Sequence, residues 1–166
     1  MLSALSRHLI LCQEKSYSMT ITLRERLDAP EIREAVIADC QAMVDQEISE
    51  KSGMSGTAVK IAYKTVTGFA PGYYHDVLAG LIPRFATQLD PFWTDFTTSG
   101  GSMFGDYLAK RGDEVSEALL AVTDEMAEAS GRAVIVKAYR TVRGGAGKHV
   151  QTALPRLGDL ITKYAV

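Results

Sequence analysis

Ile61-Ala-Tyr-Lys-Thr-Val-Thr-Gly68 and Lys137-Ala-Tyr-Arg-Thr-Val-Arg-Gly144 are two versions of one octapeptide. Five of the eight positions are identical, including Tyr63/Tyr139 and Gly68/Gly144, and Lys64/Arg140 keeps its charge. Working outward, Glu31-Ile-Arg-Glu-Ala-Val-Ile-Ala38 matches Glu114-Val-Ser-Glu-Ala-Leu-Leu-Ala121, and Ser52-Gly53 matches Ser130-Gly131. Downstream, Leu81-Ile82-Pro83-Arg84 resembles Ala153-Leu154-Pro155-Arg156. Four blocks in the same order read as an internal duplication.

Each unit reads as three helices. The first spans about 30–51, with Asp28 as N-cap, Pro30 in the first turn and Ile32, Val36, Cys40, Met43, Val44 and Ile48 at helical spacing. Its counterpart spans about 113–129, capped by Asp113. The second helices start at Ser55 and Ser130 and stop at Gly68 and Gly144, since serine caps starts and glycine ends. The third cover about 71–89 and 147–164, each interrupted by a proline, Pro83 or Pro155. No window alternates with period two. The expectation is an all-α, compact helical bundle of two pseudo-symmetric three-helix repeats (about 28–89 and 113–164), joined by a short aromatic helical bridge, 90–112. A unit of about 55 residues is marginal alone, so 19–166 should form a single helical domain.

The chain has 166 residues, with 46% hydrophobic and 23% charged, which excludes a disordered or collagen-like protein. A net charge of −2 argues against a dedicated nucleic-acid coat, and no apolar run approaches a membrane span. Residues 1–18 read as a poorly structured N-terminal extension, with Met19 just before the first regular pattern. Cys12 and Cys40 read as free thiols in a reducing compartment, which places the protein in the cytoplasm.

Charge is segregated. Residues 28–50 hold seven acids against Arg33 alone, and 113–128 hold six acids and no base. Residues 131–166 hold seven bases against Asp159 alone. Either acidic and basic helix faces pack side by side, or Lys60, Lys64, Lys137, Arg140, Arg143 and Lys148 form an anion-binding surface. Ten of the 13 aromatics fall between Tyr63 and Tyr107. Phe92, Trp93 and Phe96 in the bridge either fill the core or form an interaction surface.

Motifs for chemistry are scarce. Gly144-Gly145-Ala146-Gly147-Lys148-His149 lacks the first glycine and the hydroxyl of a phosphate loop, and reads as a helix C-cap with a hairpin loop. The histidines His8, His75 and His149 stand at no metal-ligand spacing, so no metal and no cofactor are expected. Catalytic residues are not readable. The duplicated Tyr63/Tyr139, Lys64/Arg140 and Arg84/Arg156, with His75 and His149 at the starts of the third helices, are the candidate ligand-binding residues.

Lys51-Ser-Gly-Met-Ser-Gly-Thr-Ala-Val-Lys60, the Tyr63 block, Phe104-Gly-Asp-Tyr-Leu108 and Ala118-Leu-Leu-Ala-Val-Thr-Asp124 resemble a small bacterial family catalogued as a domain of unknown function. The resemblance covers about 20–164 and implies a bacterial, cytoplasmic setting, with no activity to carry over. The functional expectation is a non-enzymatic binding or protein-interaction module, with a homodimer or an unknown protein as partner. An anion-binding module (nucleic acid, phosphate or acidic lipid) stays open beside it. So does a small-molecule enzyme with Tyr63, His75, Tyr139 and His149 between the repeats.

Overall fold

The structure, a computed structural model, describes residues 20–166. Helix accounts for 84% of them, in seven segments, with no strand among the described residues. In chain order these are α1 (Leu23–Leu27), α2 (Arg33–Glu50), α3 (Gly53–Thr67), α4 (Tyr73–Ser99), α5 (Phe104–Lys110), α6 (Gly112–Ala129) and α7 (Ala133–Ala165). None is long and apolar enough to cross a membrane. The expectation for residues 1–18 lies outside the described residues.

Helix α1 is an element the sequence reading did not contain. Thr22 and Glu25 cap it reciprocally: Thr22 Oγ1 accepts from the Glu25 amide at 3.1 Å, and Glu25 Oε2 accepts from the Thr22 amide at 2.8 Å. Asp28, expected to cap the next helix, is instead the C-cap of α1, and α2 starts at Arg33 without a side-chain cap. Asp90, the first residue of the expected bridge, lies inside α4 and accepts from the Leu23 amide at 2.6 Å. The third helix of the first half therefore runs on through Pro83 and Pro91 to Ser99, where Gly100, at φ 74°, ends it.

The second half departs further from expectation. The Gly144–Gly147 stretch is not a C-cap and loop but the middle of α7, a single helix of 33 residues. Three glycines each cost a helix about 1 kcal/mol relative to alanine. Packing outweighs that cost, because α7 lies against α1, α2, α3, α5 and α6, and breaking it would uncover all five. The acidic helices supply its ionic partners. Arg156 Nη1 donates to Glu47 Oε1 at 2.5 Å and to Glu50 Oε2 at 2.9 Å, and Lys163 Nζ donates to Asp39 Oδ2 at 2.5 Å. Arg143 Nε and Nη2 donate to Asp124 Oδ1 and Oδ2 at 2.8 and 2.9 Å. These contacts put acidic and basic helix faces side by side, as the structural account of the charge pattern requires.

The main core lies toward one end of the bundle. Leu23 and Leu27 of α1, Leu89, Phe92 and Phe96 of α4, Phe104 and Leu108 of α5, Leu119 of α6, and Leu154 and Ile161 of α7 form one buried cluster. Phe92 and Phe96 are 7% and 8% exposed, and half-buried Trp93 meets Phe104 edge-on at 4.9 Å between ring centres. These three aromatics thus belong to the core rather than to an open interaction surface. Helices α5 and α7 touch backbone to backbone, and a Cβ on Gly105 would lie 2.5 Å from the Pro155 carbonyl oxygen. Toward the other end, the side chains from α3, the start of α4, the end of α6 and the start of α7 are only half-buried, and a cavity lies among them.

Candidate functional site

That cavity is a cleft of about 420 Å³, walled by α2, α3, α4, α6 and α7. Its sides are aliphatic: Val44 and Ile48 from α2, Val59, Ala62 and Val66 from α3, Val77 and Leu81 from α4, Met126 and Ala127 from α6, Ile135 and Val142 from α7. Hydroxyls enter the lining through Tyr63, Tyr73, Tyr74, Tyr139, Thr123 and Ser130, and no charged side chain does. The volume falls within the roughly 300–1,000 Å³ typical of small-molecule sites.

The twin tyrosines share this wall. Tyr63, on α3, donates to Asp45 Oδ1 of α2, and Tyr139, on α7, donates to Asp124 Oδ1 of α6 at 2.6 Å. Asp45 stands five residues before the end of α2, and Asp124 five before the end of α6. A short interhelical turn, two residues (Lys51-Ser52) in the first case and three (Ser130–Arg132) in the second, then folds the next helix back and brings its tyrosine over the carboxylate. Burial and then the neighbouring carboxylate push both phenols up, each to about 12. Both therefore stay protonated, with the proton committed to aspartate and the oxygen lone pairs left to accept.

The environments differ behind the tyrosines. Asp124 is clamped by Arg143, whose hydrogen bonds, followed by that of Tyr139, hold its carboxyl below the ordinary value. Thr123 Oγ1 lies 2.8 Å from Tyr139 Oη. Asp45 has no cation within ion-pair distance among the described residues. Beside it, Tyr74 meets Tyr63 edge-on at 5.6 Å, and its hydroxyl oxygen is buried with no hydrogen-bond partner. Burial raises the Tyr74 phenol as well.

Tyr63 and Tyr74 also border a second, shallower hollow of about 630 Å³, which Gln41, the Thr67–Gly72 turn and His75 complete. Gly72 at φ 77° turns the chain into α4, which sets Tyr73 and Tyr74 in the first turn of that helix. Sequence reasoning passed over Tyr73 and Tyr74, although Pro71-Gly72 ahead of two aromatics was a readable turn signal.

The other candidate residues do not converge here. His75 Nε2 is 3.0 Å from Glu34 Oε2 and its Nδ1 is 3.6 Å from Asp76 Oδ1; Glu34, then Asp76, raises its pKa. His149 sits on α7 with Nε2 2.7 Å from Ser55 Oγ, and burial, then Lys51, lowers its pKa. The two histidines have different partners and do not face each other across the cleft. Arg156 is committed to Glu47 and Glu50, and Lys64 and Arg84 are exposed on the outer surface. Arg140 borders a separate shallow depression with Lys137, Ser130 and Thr141. Cys40, half-buried and free, has its thiol pushed up to about 11 by burial, so it is not an activated nucleophile. Among the described residues no group of three or more His, Cys, Asp or Glu could hold a metal ion.

A family model described as a family of unknown function (DUF6918) matches residues 23–165. No curated protein and no solved structure matches the chain.

Proposed function

The chain belongs to this family of unknown function, DUF6918, and from that premise we propose that it is a non-enzymatic binding protein whose cleft holds a small, largely apolar molecule. The observation that carries the reading is the cleft itself: about 420 Å³ of space with a lining of aliphatic and tyrosine side chains. Closing it with side chains would stabilise the fold through burial of those half-exposed walls, at about 25 cal/mol per Å². Keeping it open has a cost that a bound ligand offsets.

The same proposal takes the two halves as descendants of one duplicated unit, working in a bacterial cytoplasm. The parallel Tyr63–Asp45 and Tyr139–Asp124 pairs support the duplication. It also takes the protein as a homodimer, which the solvent-exposed apolar side chains of Met54, Ile61 and Val134 support and light scattering tests.

The binding reading is tested with a neutral naphthylamine dye whose fluorescence rises in apolar surroundings. The purified chain should bind it saturably, and Ala62→Trp, which fills the cleft, should weaken binding at least tenfold with the helical circular dichroism retained. Equal dye affinity in parent and variant would refute the reading.

A further inference from the structure

Two glycine-rich stretches that carried no function in the sequence meet in space. Ser52-Gly-Met-Ser-Gly56 opens α3, and Gly144-Gly-Ala-Gly-Lys-His149 lies in the middle of α7. Where they cross, Ser55 Oγ stands 2.7 Å from His149 Nε2. Gly145, one turn before His149, faces the same hydroxyl: a Cβ there would lie 3.6 Å from Ser55 Oγ, and a longer side chain would crowd it. A Cβ on Gly144 or Gly147 would meet nothing within 4 Å, so packing does not call for glycine at either position. Each costs the helix about 1 kcal/mol relative to alanine. All three line a hollow of about 800 Å³ that Ser55 and His149 also line, and without side chains they leave it open.

The pair is arranged for proton transfer from serine to histidine. Ser55 is exposed, so a reagent reaches it, and His149 is half-buried. Burial, then the charge of Lys51, lowers the His149 pKa from its ordinary 6.5, which leaves the imidazole neutral at about pH 7. The charged groups around it are Lys51 and Glu47, paired with each other at 3.2 Å, and in the hollow Asp113, Glu117, Arg143 and Lys148. Two carboxylates thus balance two cations there, and Arg143 is held besides by Asp124 at 2.8 Å. No surplus of positive charge is present to clamp a phosphoryl group. An uncharged carboxylic ester asks for none.

We propose that Ser55 is a nucleophile with His149 as its base, and that uncharged carboxylic esters acylate the chain there. His149 Nε2 takes the hydroxyl proton as Ser55 Oγ bonds to the carbonyl carbon. The carbonyl electron pair moves onto its oxygen, and the first-turn amides of α3, which Ser52 leaves without a side-chain cap, are the donors nearest along the chain to receive that charge. When the pair returns, the bond to the leaving alkoxide breaks, and the alkoxide takes the proton back from His149. The products are an ester on Ser55, a free alcohol and a neutral imidazole. The chain is the acyl acceptor, modified once per molecule, and the hollow shares no lining residue with the apolar cleft.

The test treats the full chain with p-nitrophenyl acetate, follows nitrophenolate release above the solvent rate, and locates the acetyl group by peptide mass spectrometry. One acetyl per chain should appear on Ser55 and none on Ser52, which is also exposed, on the same helix end, but has no histidine partner. His149→Gln should slow the release by about tenfold or more, and Ser55→Ala should abolish it, with helical circular dichroism and melting temperature retained in both. The rate should rise with pH through a value below 6.5 and then level off, because only the neutral imidazole takes the proton. Acetyl groups on lysines or on Ser52 instead, release that survives either substitution, or a rate still climbing in alkaline solution as amino groups lose their protons, overturns the assignment.

Discussion

Tyr63 and Tyr139 hold the same posture, a phenol over a carboxylate on the preceding helix, yet their aspartates have diverged. The tyrosines could be singled out in the sequence because the octapeptide around them is repeated. Their aspartates could not. Asp45 is one of seven acids on its segment and Asp124 one of six, and such runs ordinarily face solvent. Only the helix ends, once known, put the two in register. The histidines show the converse: similar places in sequence, unrelated partners in space. A pH prediction belongs here. Folding depresses the Asp124 carboxyl below its ordinary 3.8, chiefly through Arg143. A carboxyl depressed in this way contributes stability that is complete above its unfolded value and lost as pH falls through its folded value. Asp124→Asn should therefore lower the melting temperature at about pH 7, and the gap from the parent should close below about pH 4. A gap of constant size across a melt series from neutral to acid pH would contradict this account.

Among the elements, α7 is where local signals and tertiary structure disagree most. Gly144, Gly145 and Gly147 are a strong breaker signal, and the helix nonetheless passes through them because its neighbours pair with it along both halves. Helix α1, five residues long, escaped notice because its apolar pattern is only Leu23 and Leu27, although the Thr22/Glu25 capping box was there to be read. The glycines of α7 are not equivalent, and this separates packing from propensity. A Cβ at Gly158 would fall inside the van der Waals shell of the Gly105 backbone, which cannot move aside as a side chain would. Gly158→Ala should destabilise by about 3 kcal/mol, the upper end of overpacking costs. A Cβ at Gly147 would meet nothing within 4 Å. Gly147→Ala should accordingly stabilise by about 0.5–1 kcal/mol through helix propensity alone. Urea unfolding of the two variants reads both signs, and a destabilising Gly147→Ala would mean that α7 is not continuous there.

Across the whole molecule, the helical class and the partition of charge were legible in the sequence, since both follow from spacing and composition. The aromatic segment was ambiguous there, and packing assigned Phe92, Trp93 and Phe96 to the core. What no spacing could announce is that this core gathers toward one end, where α1, α5 and the last turns of α7 close over it, and leaves a cleft toward the other. The two ends give the account its central claim, that the cleft is a binding site. The most direct check is an NMR titration of isotopically labelled protein with the neutral naphthylamine dye. The account predicts that amides near Tyr63, Tyr74, Thr123 and Tyr139 shift together and saturate, while those of α1 and α5 stay in place. Shifts scattered over the surface, or gathered around Lys137 and Arg140 instead, would contradict it.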